Sequence, residues 1–274
     1  MLATAPAADG EPPRSIAGAA VNVLMTAGAA DKAALSRRHA AAWRAGALTA
    51  AFDVQPPDRP ARPARPELLP PNRMPKRGKA GSEAARFALL HALAHIELNA
   101  IDLAWDMVAR FGDGMPRAFV DDWVKVADDE ALHFSLLAER LAVLGGGYGD
   151  LPAHDGLWDA ARATRETLLG RLAIVPMVLE ARGLDVTPQT IERLRKAGDD
   201  ESAAILERIY TDEITHVAAG VRWFNHLCES ADGDSQAMFH AAVRQFFRGD
   251  LKPPFNDSAR LQAGMMSGFY HPLA

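Results

Sequence analysis

From Ser82 to Glu229 apolar side chains recur at helical spacing in four long runs, and no window shows the strict alternation of a half-buried strand. The first run opens at Ser82-Glu83, where a serine N-cap is predicted, and reaches Phe111 before Gly112-Asp-Gly-Met-Pro116 stops it. Pro116 suits the start of a second helix, which should run to about Leu144, where Gly145-Gly-Gly-Tyr-Gly149 and Pro152 end it. A third helix is expected from about Leu157 to Gly183. Thr187-Pro188 reads as the N-cap and first residue of a short helix to about Ala197, and Asp199 or Asp200 caps a fourth long helix. Four such helices with mostly short connections predict an all-α four-helix bundle over residues 82–230.

The flanks read differently. Residues 1–14 are expected to be a disordered leader. Helical patterns follow from Ser15 to about Phe52, with Asp31 as an N-cap. Asp53 to Ala80 then holds eight prolines and seven Lys/Arg, a density that forbids helix or central strand and predicts an extended basic strap closing the segment 15–81. No aromatic residue interleaves the basic ones, so a packing strap is favoured over a nucleic-acid arm. Residues 231–274 should supply a helix from Ser235 to Arg248 and a proline-containing tail packing on the bundle.

Composition supports helices. Hydrophobic residues make up 49% of the 274, aromatic residues only 7%, and alanine alone fills 53 positions, which favours helix over a β-sandwich. A formal net charge of −5 is not that of a polybasic nucleic-acid binder. The single cysteine, Cys228, rules out an internal disulfide and a thiolate zinc cluster, and a cytoplasmic location is the expectation. Gly18 to Ala30, the most apolar stretch near the start, is broken by Asn22 and is too short to span a bilayer, so neither a signal peptide nor a membrane span is expected.

The candidate chemistry lies in a repeat. Asp129-Glu-Ala-Leu-His-Phe134 and Asp212-Glu-Ile-Thr-His-Val217 each carry Glu-x-x-His, which puts a carboxylate and an imidazole one turn apart on one helical face. One such tetrapeptide is weak evidence. Here, however, Glu130 and Glu213 are 83 residues apart, as are His133 and His216, and as are Glu97 and Glu180 in the preceding helices. The chain therefore reads as two copies of a helical hairpin, each delivering one Glu from its first helix and Glu-x-x-His from its second. In the first hairpin Glu97 and Glu130 lie about 16 residues on either side of the turn, roughly 24 Å along each rod, and so at one height.

Four carboxylates and two imidazoles meeting inside a bundle would be very costly without compensation. Two divalent cations balance four carboxylates, and a site rich in carboxylate and imidazole without sulfur suits iron first and manganese second. The predicted metal ligands are Glu97, Glu130, His133, Glu180, Glu213 and His216, the ligand set of the ferritin-like di-iron carboxylate proteins.

Several runs extend the likeness. Pro60 to Pro75, Leu90 to Leu103, Val175-Pro-Met-Val-Leu-Glu-Ala-Arg-Gly-Leu-Asp185 and Leu251-Lys-Pro-Pro-Phe-Asn256 resemble a ferritin-like family of bacterial proteins catalogued as domain of unknown function 455. The resemblance covers nearly the whole chain past the leader. It implies the fold and a di-metal site and no particular reaction. More distantly, the pattern is similar to the ferritin-like oxygenases that hydroxylate tRNA.

Around the ligands, Asp129 and Asp212 either orient the histidines four residues on or are simple solvated acids, and a facing helix could equally supply the partner. Tyr210, one turn before Glu213, is a secondary candidate for a redox or hydrogen-bonding role, with core packing the favoured reading. His91 and His95 point away from the Glu97 face and are expected to make structural hydrogen bonds, with the strap as the candidate partner. The leading functional expectation is an oxidase or hydroxylase that uses O2 or peroxide on an apolar or nucleoside-like small substrate, with an unidentified electron donor. The alternative is a ferroxidase or metal-handling protein without an organic substrate. A homodimer is compatible with either, and a membrane or nucleic-acid partner is not expected.

Overall fold

The computed structural model describes residues 12–75 and 82–274; most of the leader, residues 1–11, and the end of the strap, 76–81, lie outside the described residues. All regular structure among these residues is helical: α1 (Ile16–Leu24), α2 (Ala29–Arg44), α3 (Glu83–Phe111), α4 (Arg117–Val143), α5 (Gly156–Ala163), α6 (Leu168–Ile174), α7 (Ala181–Lys196), α8 (Asp200–Ser230), α9 (Ser235–Phe246) and α10 (Asp257–Gln262). The only β pairing among the described residues is two isolated bridges, Ser15 with Thr49 and Leu68 with Ala153.

The long helices form for the reasons the sequence offers. Ser82 caps α3 by accepting the Ala85 N–H, and Asp199 caps α8 by accepting that of Ser202. Gly114, at φ +75°, makes the tight turn that reverses α3 into α4. Helix α3 packs along α4, α7 along α8, and α4 meets α8 across the middle. Trp105, Trp123 and Phe119 are buried between them, while edge-on contacts of Phe224 with Phe239 and Phe269 fasten α9 and the tail to α8. Each such ring removed from water is worth about 1.5–3 kcal/mol. Helix α3 alone among the described residues is long and apolar enough to cross a membrane, and 67% of its apolar window is buried inside the protein.

The third helical region departs from expectation. It breaks at Thr164–Thr167 rather than at Gly183, restarts as α6 with Thr167 capping Gly170 N–H, passes through a π-helical segment at Val175–Glu180, and continues as α7 straight through Gly183 and Pro188. Two contacts explain this. Arg171 folds back to donate to the Thr164 hydroxyl and, at 2.6 Å, to the Ala161 carbonyl, which fixes the break. Pro188 has no N–H for the Leu184 carbonyl four residues earlier, and the Asn256 side-chain amide of the tail donates to that carbonyl at 3.1 Å, so the helix need not end there. Elsewhere, α2 begins at Ala29 with Gly28 at its cap, placing Asp31 in the first turn instead, and α9 stops at Phe246, short of Arg248.

The strap lies against α3. The Ala61 N–H donates to the Leu24 carbonyl at 2.9 Å, and Arg62 pairs with Asn99 at 2.6 Å and Asp102 at 3.1 Å. Asp102 also receives Lys32 from α2, and both of these side chains are fully buried. Further along the same stripe Asp106 pairs with Arg110 and, at 2.5 Å, with the buried Arg171. One face of α3 is thus a spine of charges neutralised by α2, α6 and the strap. Its other face is left for Glu97.

Candidate metal centre

Glu97 of α3, Glu130 and His133 of α4, and Glu213 of α8 each bring a donor atom to within 4.8 Å of one another. Glu130 and His133 are fully buried because the i,i+3 spacing turns both inward from α4. This group could hold a metal ion. His216 of α8, also fully buried, sits beside it, with its ring centroid 5.9 Å from that of His133.

The distances have the character of shared chelation. His133 Nδ1 lies 3.3 Å from both Glu97 Oε2 and Glu130 Oε2, while His216 Nδ1 lies 3.0 Å from Glu130 Oε1 and 3.6 Å from Glu213 Oε2. Two donors bound at right angles to one ion at about 2.1 Å are themselves about 3.0 Å apart. Four of these atoms, Glu97 Oε2, Glu130 Oε1, Glu213 Oε2 and His216 Nδ1, and also Glu180 Oε2, are buried without a hydrogen-bond partner among the described residues. Leaving one such atom unsatisfied costs about 1–3 kcal/mol, more for a charged group, so a cluster of them pointing the same way fits a cation.

Protonation follows from the crowding. Burial first, and then the Glu130 charge, hold Glu97 and Glu213 above the usual carboxylate range, and burial followed by the Glu213 and Glu130 charges does the same to Glu180. Glu130 goes the other way: burial favours its neutral form, but the Glu97 carboxyl and the His133 and His216 rings beside it hold it well below that range. Burial also opposes charge on His133, yet the carboxylates of Asp212, Glu130 and Glu97 around it push it up to about 12.

Behind the rings the partner comes from the facing helix, one of the alternatives that the sequence left open. Asp129 and Asp212 do face the histidines, but crosswise: His133 Nε2 meets Asp212 of α8 at 3.1 Å, and His216 Nε2 meets Asp129 of α4 at 3.2 Å. Each carboxylate fixes the tautomer that turns Nδ1 toward the cluster. Each is held in turn by a cation one turn earlier, Lys125 on Asp129 and Arg208 on Asp212, both at 2.5 Å. Lys125 and Arg208 are themselves 83 residues apart, so the repeat contains this layer too, and extending the register four residues upstream of each Asp would have found it. Asp212→Asn should lower metal affinity about 10–100-fold, read by competition with a chromogenic chelator. An unchanged affinity would show that the ring needs no such support.

Glu180 ends the π-helical segment. The segment contains Pro176, against which Gly220 of α8 packs so closely that a Cβ there would come within 2.5 Å of the Pro176 Cβ. A π turn widens the helix by one residue and is frequent at functional sites. Glu97, Glu130, Glu180 and Glu213 all line one cavity of about 200 Å³, walled for the rest mostly by aliphatic side chains including Leu93, Leu206 and Ile209, with Arg182 and Thr187 as further polar members. The Tyr210 hydroxyl is engaged elsewhere, accepting from the Asn256 amide at 3.0 Å. His91 and His95 bond not to the strap but to the loop after α4: His91 accepts from Gly149 N–H, and His95 meets the Tyr148 hydroxyl at 2.8 Å.

The profile of the family described as Protein of unknown function (DUF455) matches residues 25–271. The chain belongs to that family. A DUF455 relative, an uncharacterised protein of Haemophilus influenzae, is 43% identical over 208 residues, covering 74% of this chain and 72% of the relative. No solved structure matches this DUF455 chain.

Proposed function

We propose that the chain is a ferritin-like di-metal carboxylate protein that activates O2 as an oxidase or hydroxylase. In this reading α3, α4, α8 and the rod formed by α6, the π-helical segment and α7 make up the bundle. Glu97, Glu130 and His133 hold one ion, and Glu180, Glu213 and His216 hold the other, with Glu130 facing both imidazoles. The observation that carries the reading is the convergence of four carboxylates, two of them fully or almost fully buried, on one aliphatic cavity with their outer oxygens unpartnered.

Two iron or manganese ions bound there supply redox chemistry: with an external two-electron donor, R–H, O2 and two protons become R–OH and water. The protein's own part is to hold and to exclude. With metal bound, Asp212 and Asp129 would keep the one remaining proton of each imidazole on Nε2, so that Nδ1 would give its lone pair to the ion. The aliphatic wall keeps bulk water from the carboxylates and receives an apolar substrate. That wall also favours an organic substrate over a ferroxidase role, which calls for a hydrophilic path for ions.

The test is elemental analysis of the purified chain, followed by anaerobic reduction and admission of O2. About two transition-metal ions per chain and a rapid optical change on O2 are expected. A protein that neither carries nor takes up iron or manganese overturns the reading. Uptake of many irons per chain into a large assembly, seen by gel filtration, overturns it in favour of metal storage.

A further inference from the structure

A second cavity, of about 340 Å³, lies on the other side of the segment that carries Glu180. Leu179 and Arg182 stand in the walls of both cavities. Such a volume is in the range of small-molecule sites, which combine an apolar lining with a few placed polar groups. Here Met177, Val178, Phe247, Leu251 and Phe255 give the apolar lining, and the charged groups are uneven in their employment.

Arg260 is committed: it is buried and forks onto Asp185 at 2.7 and 2.9 Å. Arg182 uses one terminal nitrogen to clip the tail, donating to the Lys252 carbonyl at 2.7 Å and the Pro254 carbonyl at 3.3 Å, with Asp185 3.4 Å away. The side chains of Arg248 and Lys252 are exposed at the rim and make no hydrogen bond or ion pair to any group among the described residues. Against them stands one uncommitted carboxylate, Asp250. With Arg260 and Asp185 cancelling, Arg182, Arg248 and Lys252 against Asp250 leave an excess of positive charge over an apolar floor.

We propose that this outer cavity binds the anionic head of an amphipathic organic acid, an apolar body bearing one carboxylate or phosphate, which is the substrate of the adjoining carboxylate cavity. This rests on the proposed function in one respect, that chemistry takes place beside Glu180. Arg248 and Lys252 take the head by charge-assisted hydrogen bonds, and the apolar body lies along Leu179 toward the inner cavity. Arg182 is a positioning residue that keeps the tail closed over the site.

Calorimetry with octanoate, octyl phosphate, octanol and octylamine on the full chain tests the proposal, with metal content measured on the same samples. Octanoate or octyl phosphate, whichever head the site prefers, should bind at a single saturable site at least about 10-fold tighter than octanol or octylamine. Arg248→Gln with Lys252→Gln should weaken that anion about 10-fold or more, leave octanol unchanged and leave metal content unchanged. Both positions are exposed, so the fold should tolerate the change. Lys196→Gln, an exposed change on α7 away from the cavity, should alter nothing. Anions that bind no tighter than octanol, or equally well to the double variant, overturn the proposal while metal in the protein keeps the functional reading. A chain that loses anion binding in the double variant but never holds metal overturns the functional reading and keeps the anion site.

Discussion

Glu130→Ala is expected to abolish metal binding at the proposed centre. Glu130 is fully buried, and its two oxygens face the two imidazoles, one at 3.3 Å from His133 Nδ1 and the other at 3.0 Å from His216 Nδ1. It therefore faces an imidazole of each half of the cluster. Loss of an outer residue that merely orients a ligand costs about 10–100-fold in metal affinity, and removing a ligand that faces both rings should exceed about 100-fold. Glu130→Gln, which keeps the shape but removes the charge, should also fail to retain metal after dialysis. Glu139→Ala, exposed on the same helix, should retain it. Metal per chain by mass spectrometry of the elements decides the matter: a Glu130→Ala protein with the wild-type content removes Glu130 from the site.

The second large effect concerns folding. Lys32 and Asp102 are both fully buried, and Lys32 also donates to the Leu24 and Ala61 carbonyls at 3.3 and 3.1 Å, so it joins α1, α2, α3 and the strap at one point. Replacing one partner of a buried ion pair leaves the other's charge uncompensated and costs about 3–5 kcal/mol. Lys32→Met should lower stability by about that much in urea unfolding with a chelator present throughout. Adding Asp102→Asn removes the stranded charge and should recover part of the loss, since the amide oxygen can still accept from Arg62. A loss below about 1 kcal/mol would mean that Arg62 alone satisfies Asp102.

Much of this was legible in the chain. Ser82, the Gly112–Pro116 turn, the Gly145–Gly149 stop and Asp199 bound the long helices because capping and turn chemistry are local, and the 83-residue register marked Glu97, Glu130, His133 and Glu213 because a repeat needs no knowledge of packing. The third region was not legible. Gly183 and Pro188 have the local marks of an ending, and only a tail residue some seventy positions away, Asn256, satisfies the carbonyl that Pro188 leaves free. The break at Thr164 likewise depends on Arg171 being drawn inward by Asp106 of α3. The crossed pairing of the two aspartates falls in the same class, for spacing gives which residues share a helical face but not which face of the neighbour they meet.

The crossed pairing has a consequence for the order of events in biosynthesis. His133 is synthesised with Glu97 and Glu130 already present, so the first hairpin emerges from the ribosome holding three of its own donors, yet the carboxylate that orients His133 arrives 79 residues later, as Asp212. Asp129 in the same way waits for His216. Neither half can finish its imidazole alone, and a chain interrupted in the Gly145–Gly149 loop would carry Glu-x-x-His with a ring free to turn. In the proposed function, tight loading of the centre would therefore require both hairpins to be made and docked, and a chain cut in that loop would bind metal more weakly than the whole protein.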